Sequence, residues 1–285
     1  MKLCRFELEG FPRTGVVLDD TIRELYGSSL LPFLSGAPLQ TTGAEFPLHT
    51  VELLAPVPDA LNLYCSAGNY RDHVKEGKGQ LLDKSLTNPR MFLKPVGGIV
   101  GPDEPLQIPS ISPHAIDWEC EVGVIISKVG KHIPVERAGD YIGGYTIFND
   151  FSDRQFRPNP QRQDRDWDSF FDWLHGKWHD TFAAMGPVVV TRDELPADFF
   201  DLRLELRVNG ETKQDATTED MIYTPEELIA FLSSFVTLRP GDIIATGTPG
   251  GVAAGLKCPF LKPGDIVEAE ISGIGILRTP VIAEA

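Results

Sequence analysis

Alternating and uninterrupted apolar segments divide this chain into many short strands. Near the start, Cys4, Phe6 and Leu8 alternate with polar residues, which predicts a half-buried strand. Residues 15–22 hold apolar residues on both sides of Asp19-Asp20, which predicts a hairpin. Further strands are predicted at 122–126, 145–148, 188–191, 202–208, 243–246 and 266–271.

The sequence predicts fewer helices than strands. Thr224, Pro225 and Glu227 have the chemistry of a helix start with a capping box. The apolar residues that follow fall on one helical face: Leu228, Leu232, Phe235 and Val236. A second helix is predicted at 169–174. Because strands and helices do not alternate regularly, we predict a mixed, β-rich α+β fold and not a doubly wound sheet.

Composition narrows the class of protein. The chain has 285 residues, and its 42% hydrophobic content suits a globular protein with a core. We predict a small β-rich N-terminal domain at 1–58 and a catalytic domain at 59–285. The net charge of −15 argues against binding nucleic acid through its phosphates, although a small anion can still bind at a local cation.

Targeting signals are not evident in the sequence. Residues 1–6 contain no long apolar run, so we expect no signal peptide, and no segment approaches the roughly 20 apolar residues of a membrane span. The four cysteines are far apart and form no CxxC pair. We therefore expect reduced thiols, a cytoplasmic location and no membrane partner.

The segment from 117 to 126 contains the most informative group of acids. In a strand, Asp117, Glu119 and Glu121 would point to one face, while alternate residues point into packing. The apolar run that follows indicates a buried strand, where unpaired carboxylates are costly. A divalent ion would remove that cost, and oxygen ligands favour Mg²⁺, Mn²⁺ or Ca²⁺. The alternative is a strand edge whose acids face water.

Asp150 is a candidate third ligand. It ends the apolar stretch 145–150 and leads into a loop, where functional groups are common. An ordinary Asn-Asp turn is the alternative.

Several segments together resemble the fumarylacetoacetate hydrolase family, in order from about Pro56 to the end. They are GNYRDHVKE at 68–76, PRMFLKP at 89–95, DWECE at 117–121, GYTIFND at 144–150, GK at 176–177, DTFA at 180–183 and TGTP at 246–249. The resemblance implies a β-roll catalytic domain, a homodimer, and a Mg²⁺ or similar ion held by Glu119, Glu121 and Asp150.

The resemblance also implies catalytic and substrate-binding residues. His73 and Glu76 stand three apart, on one side of a helical turn, and match the family's water-activating dyad. Lys177 would place a positive charge at a developing oxyanion. Substrate contacts are implied for three further residues: Tyr70, Arg154 and Thr248. Without the resemblance, each of these side chains could be an ordinary surface or turn residue.

One segment is longer than its counterpart in the family. Residues 158–173 bring two arginines and several acids and aromatic residues close to Lys177. We expect either a solvated loop with one amphipathic turn, or a pocket wall or dimer contact that recognises a polar substrate tail.

The expected function is hydrolysis of a carbon–carbon bond in a small 2,4-diketo acid. The substrate would be an acylpyruvate or a sugar-acid-derived diketo acid, and the products would be pyruvate and a carboxylic acid. Other readings stay open: oxaloacetate decarboxylation or tautomerisation, a ureidoglycolate-lyase-like reaction, and a non-catalytic metal-binding protein.

Overall fold

The computed structural model describes residues 1–81, 83–195 and 201–285. The strands are β1 (Lys2–Leu8), β2 (Phe11–Leu18), β3 (Thr21–Leu25), β4 (Thr41–Pro47), β5 (Glu52–Leu54), β6 (Leu63–Ala67), β7 (Arg90–Lys94), β8 (Ile99–Val100), β9 (Leu106–Ile108), β10 (Ile116–Asp117), β11 (Cys120–Ile126), β12 (Ile142–Asp150), β13 (Ser152–Asp153), β14 (Ala183–Thr191), β15 (Arg203–Val208), β16 (Glu211–Thr217), β17 (Ile243–Ala245), β18 (Ile266–Ile271) and β19 (Gly275–Ala283). The helices are α1 (Leu31–Leu34), α2 (Arg71–Glu76), α3 (Val135–Ala138), α4 (Asp168–His175), α5 (Pro225–Phe235) and α6 (Ala253–Leu256).

Most strands belong to one large sheet. Its order is β4-β3-β2-β1-β14-β12-β11-β17-β6-β7, with β5 beside β1 and β8 beside β14. Every residue of β11 is buried, because the strand lies between β12 and β17 and has apolar layers on both faces. A second sheet has the order β16-β15-β18-β19-β9. The predicted mixed, β-rich class is confirmed.

The N-terminal strands form the predicted hairpin. β2 pairs with β3 from Thr14↔Leu25 to Leu18↔Thr21, so the turn falls at Asp19-Asp20. β1 then continues into the large sheet by pairing with β14 at Lys2↔Val190. The division of the chain after residue 58 stays a prediction.

Helix α5 begins as the sequence indicates. Thr224 accepts a hydrogen bond from the Glu227 amide, and the Glu227 carboxylate accepts one from the Thr224 amide. Leu228 and Leu232 are buried on the predicted apolar face, whereas Phe235 is 54% exposed. Phe235 lies at the last residue of the helix and stacks edge-on with Phe231 instead.

Within the described parts of the chain, no helix has both the length and the apolar character needed to cross a membrane.

Candidate active site

Three buried carboxylates meet where β11 and β12 lie side by side. Glu121 is in β11, Glu119 directly precedes that strand, and Asp150 ends β12. Each offers one oxygen within 4.8 Å of the others. The structure thus brings together the three acids that the sequence predicts as metal ligands.

Asp117 does not join this group, so the expectation of one face shared by Asp117, Glu119 and Glu121 is wrong. The strand is interrupted between β10 and β11. The Asp117 carboxylate instead accepts hydrogen bonds from the amides of Ala253 (2.7 Å) and Ala254 (3.1 Å), at the start of α6. Asp117 therefore anchors a neighbouring segment and is not a ligand candidate.

Two buried lysines neutralise part of the carboxylate charge. Lys177 Nζ donates to Glu119 Oε2 at 2.9 Å and to Asp150 Oδ2 at 2.7 Å. Lys94 Nζ donates to the other Asp150 oxygen and to the Phe151 carbonyl at 2.9 Å. Burial alone lowers the pKa of Lys177, but Asp150 and Glu119 outweigh it and raise that pKa. Lys177 is therefore a fixed ammonium beside the cavity described below.

Arg154 lies between two acids at the same site. Its Nε donates to Asp117 at 2.8 Å and its Nη2 donates to Glu119 at 2.6 Å. The guanidinium thus positions Glu119 as well as lining the cavity. Its predicted contact with substrate stays a prediction.

Glu121 is the carboxyl group of this cluster whose pKa the site raises. Burial raises the pKa of Glu119, but Lys177 and Arg154 lower it to about 2. The pKa of Glu121 is raised well above its ordinary value by burial, and then by repulsion from Asp150 and Glu119. Its Oε2 accepts from the Gly247 amide at 2.7 Å. Glu121 is thus the member of the group that is least stable as an anion.

The donor set suits a hard divalent cation. Glu121 Oε1 is buried and has no hydrogen-bond partner among the described residues. When all are ionised, these three carboxylates and the neighbouring Asp117 carry one more charge than Lys94, Lys177 and Arg154 compensate. Carboxylate oxygens are the ligands of Mg²⁺, Mn²⁺ and Ca²⁺, and each can accept more than one contact. Glu119, Glu121 and Asp150 therefore fit such an ion.

A cavity of about 610 Å³ opens beside these groups. Its lining consists of Ser66, Ala67, Gly68, His73, Arg90, Met91, Phe92, Glu119, Arg154, Phe170, Trp173, Lys177 and Thr248. That size suits a small organic substrate. The lining combines a charged end, at Glu119 and Lys177, with aromatic walls.

His73 and Glu76 form the predicted pair on α2. His73 Nδ1 lies 3.3 Å from Glu76 Oε2, and Glu76 Oε1 accepts from the Gly251 amide at 3.0 Å. Glu76 is therefore held from both sides. A carboxylate at Nδ1 favours the imidazole tautomer whose Nε2 accepts a proton. Since His73 lines the cavity, it can serve as a base there.

Gly255 makes room for the Glu76 carboxylate. A Cβ at Gly255 would overlap the carboxyl group of Glu76, which is the movable end of a flexible side chain. We expect Gly255→Ala to displace Glu76, and to lower the rate of any step that uses His73 as a base by about 10- to 100-fold, with little change in thermal stability. The kinetics and melting temperature of the purified variant test this.

Gly97→Ala is the matched control, because a Cβ there meets no atom within 4 Å. An unchanged rate in Gly255→Ala would show that the position of Glu76 does not matter.

Thr248 is held by a buried glutamine from the second sheet. Gln214 of β16 donates from Nε2 to Thr248 Oγ1 at 2.8 Å and to the Pro249 carbonyl at 2.9 Å. Its Oε1 accepts from the Cys120 amide at 3.0 Å, and Thr248 Oγ1 donates to the Cys120 carbonyl. One side chain therefore joins the strand of Glu121 to the loop of Thr248.

Tyr70 does not line the cavity, so the structure gives no support to its predicted contact with substrate. Its side chain is fully buried, and its hydroxyl has no partner among the described residues. Burial raises the pKa of Tyr70 well above its ordinary value. The residue precedes α2 as its N-cap, facing the core.

The long segment at 158–173 contributes aromatic rings to the cavity. Phe170 and Trp173 line it, whereas Arg162 is bound by Asp172 and Asp164. Part of this segment is therefore a pocket wall, and its arginines are not among the residues that line the cavity.

Sequence reasoning did not identify Lys94, Gln214 or Arg90 as site residues. Lys94 had a signal, because it belongs to the segment PRMFLKP at 89–95 that resembles the family. Gln214 had none, because its partners lie 34 and 94 residues away.

Comparison with known proteins identifies the family of this chain. The family model described as fumarylacetoacetate (FAA) hydrolase C-terminal matches residues 62–282, and one described as Rv2993c-like, N-terminal, matches residues 1–56. The chain is 40% identical to the human oxaloacetate tautomerase FAHD2A, mitochondrial, over 83% of this chain and 71% of that protein.

Solved structures give the same result. The fumarylacetoacetate hydrolase of Exiguobacterium antarcticum superposes with a TM-score of 0.83 at 33% identity, with full coverage of both chains. Maleylpyruvate hydrolase of Sphingobium sp. SYK-6 superposes with a TM-score of 0.75 at 28% identity, also with full coverage of both. Fold, order of motifs and matched length all lead to one assignment: the chain belongs to the fumarylacetoacetate hydrolase family of enzymes.

Proposed function

We propose that this enzyme hydrolyses the C3–C4 bond of a small 2,4-diketo acid, with Glu119, Glu121 and Asp150 holding a divalent ion. The observation that carries the proposal is the His73–Glu76 pair, which lines the same cavity as Lys177 and the carboxylates. A base facing a fixed cation is the arrangement that water addition to a carbonyl requires.

The steps follow from the residues. His73 takes a proton from water, and the oxygen adds to the C4 carbonyl carbon. The C3–C4 bond breaks, its electron pair becomes the enolate of pyruvate, and C4 becomes the carboxyl carbon of the acid product. The Lys177 ammonium stabilises the developing oxyanion, and the proton held by His73 is returned to C3 to complete pyruvate. A bound divalent ion would supply Lewis-acid stabilisation of the substrate oxygens.

Keto–enol tautomerisation of oxaloacetate is the second candidate. The identity of 40% to the human oxaloacetate tautomerase favours it. That reaction moves a proton between carbon and oxygen and consumes no water, so Lys177 and the carboxylate cluster would suffice with one proton carrier. Decarboxylation of oxaloacetate would use the same enolate stabilisation.

A substrate panel separates the two candidates. Acylpyruvates and sugar-derived diketo acids would be followed by loss of enol absorbance and by release of pyruvate, with Mg²⁺ and with EDTA. We expect pyruvate from at least one diketo acid, only with the metal. Intact diketo acids together with fast interconversion of oxaloacetate tautomers would contradict hydrolysis and favour the second candidate. The homodimer and the cytoplasmic location stay predictions.

A further inference from the structure

A buried aspartate and a largely buried histidine lie together just outside the cavity. Asp153 ends β13 and its side chain is fully buried, while the side chain of His179 is 13% exposed. His179 Nε2 lies 3.7 Å from Asp153 Oδ2. Within residues 1–81, 83–195 and 201–285, neither atom has a hydrogen-bond partner. Since an unpaired buried polar atom is costly, each of these two atoms is the partner that the other lacks.

The surroundings of the pair favour a direct bond between them. The His179 ring packs against Phe156, at 5.1 Å between centroids, and against Phe182, at 4.9 Å. The other Asp153 oxygen accepts from the Gln155 amide at 2.9 Å, which leaves Oδ2 for the imidazole. A hydrogen bond of about 2.9 Å is about 0.8 Å shorter than the separation, and a small rotation of the ring closes that gap.

The pair joins two segments that each bind one oxygen of Glu119. Arg154, the residue after Asp153, donates to Glu119 Oε1 at 2.6 Å. Lys177, two residues before His179, donates to Glu119 Oε2 at 2.9 Å. The positions of the guanidinium and the ammonium around this carboxylate therefore depend on how the two segments are held together.

The backbone supplies a first contact between the same segments. The Asp153 amide donates to the Gly176 carbonyl at 2.8 Å, and a Cβ at Gly176 would overlap the Asp153 carbonyl. One contact leaves the second segment free to pivot, whereas another contact three residues further along, at His179, stops that motion. Lys177 lies between the two contacts.

We propose that Asp153 and His179 are positioning residues for Lys177: their pairing holds the ammonium against Glu119 and Asp150, where it stabilises the developing oxyanion. The inference rests on the proposed function only for the catalytic role of Lys177, and both candidate reactions use that role. Neither member of the pair lines the cavity. Its loss should therefore lower kcat and leave KM nearly unchanged, because an interaction with the substrate in its ground state is not removed.

Three variants assayed at saturating Mg²⁺ test this. Asp153→Ala and His179→Phe each leave one buried polar atom unpaired, so each should lower the melting temperature and should lower kcat by about 10- to 100-fold. The double variant removes both unpaired atoms. Its melting temperature should recover, but its kcat should stay low, because the contact that positions Lys177 is still absent. A merely structural pair would instead regain kcat together with stability.

A conservative variant and a control complete the set. Asp153→Asn should keep most of kcat, because the other tautomer of His179 can accept from the amide. Asp242→Ala removes a fully buried carboxylate, outside the cavity, that accepts from Asn62 and from the Arg239 amide. It should lower the melting temperature without changing kcat.

Several results would overturn the proposal: single variants with the wild-type kcat, a double variant whose kcat recovers with its melting temperature, or a double variant no more stable than the single ones. The last result needs no substrate. Where no diketo acid is cleaved, the proposed hydrolysis fails, and the same variants are compared on the interconversion of oxaloacetate tautomers. Failure of the hydrolysis is thus distinguished from failure of the positioning role.

Discussion

Glu121→Gln is expected to abolish metal-dependent turnover and, in EDTA, to make the protein more stable than the wild type. The loss of activity should be about 10³-fold or more, since a bound metal ion contributes several kcal/mol to stabilising developing charge. Stability should rise although activity falls, because burial and the neighbouring acids disfavour the ionised form of Glu121.

The sign follows from its pKa. A carboxyl whose folded pKa is raised destabilises the fold at every pH above its unfolded pKa of about 4.3, because the unfolded chain ionises there more readily than the buried group does. Glutamine is neutral, and its amide oxygen can still accept from the Gly247 amide. We therefore expect the melting temperature in EDTA to rise by about 3 °C at pH 7.

Added Mg²⁺ gives the complementary measurement. It should raise the melting temperature of the wild type, because a ligand that binds the folded state stabilises it, but not that of Glu121→Gln. Glu45→Gln, at a half-exposed glutamate that pairs with Arg23, is the matched control. A Glu121→Gln variant that melts earlier in EDTA, or that keeps its Mg²⁺ response, would contradict the assignment of Glu121 as a ligand.

His73→Ala is expected to lower kcat/KM for diketo-acid hydrolysis by about 10²- to 10⁴-fold, the usual contribution of a general base. The fold should persist, because the side chain is partly exposed and, among the residues that the structure describes, bonds only to Glu76. Binding of a 2-oxo acid should also persist, since Lys177 and the carboxylate cluster are unchanged. Steady-state kinetics and calorimetry measure the two effects separately.

The same variant separates the two candidate reactions. If water activation is the role of His73, hydrolysis is lost while interconversion of oxaloacetate tautomers is kept. His49→Ala, at an exposed histidine outside the cavity, controls for the loss of an imidazole. Equal loss of both reactions would assign His73 to proton transfer on the substrate itself, and hydrolysis that survives would remove it from the mechanism.

The pattern of apolar and polar residues predicted the strands, and it also pointed to the acids on two adjacent strands, β11 and β12. Glu121 lies in β11 and Asp150 ends the adjacent β12, so a buried strand and a strand end made them candidates, and the resemblance to the family selected them. Alternation was wrong for Asp117, because the strand breaks at residues 118 and 119, and the carboxylate binds amides 136 and 137 residues away. The spacing of residues along one strand gives no information about a partner so distant in the sequence.

Burial also decided which motif residues reach the cavity. Tyr70 and His73 belong to one short motif, but the first turns into the core and the second faces the cavity. The segment at 158–173 has two arginines, yet its acids bind both of them, and its aromatic residues Phe170 and Trp173 line the cavity instead. The residue types of this wall could be read from the sequence. Which of them line the cavity depends on the ion pairs within the segment, which could not be read from it.

The side-chain amide of Gln214 both donates and accepts hydrogen bonds, and this limits which segments can be exchanged between this protein and its relatives. Gln214 is carried by the second sheet, while its partners Cys120 and Thr248 belong to the strand and loop of the carboxylate site. A chimera that exchanged residues 201–217 would carry a new side chain into that junction. Such an exchange should preserve the site only when the incoming residue can both accept and donate a hydrogen bond at position 214. Otherwise the two sheets need to be exchanged together.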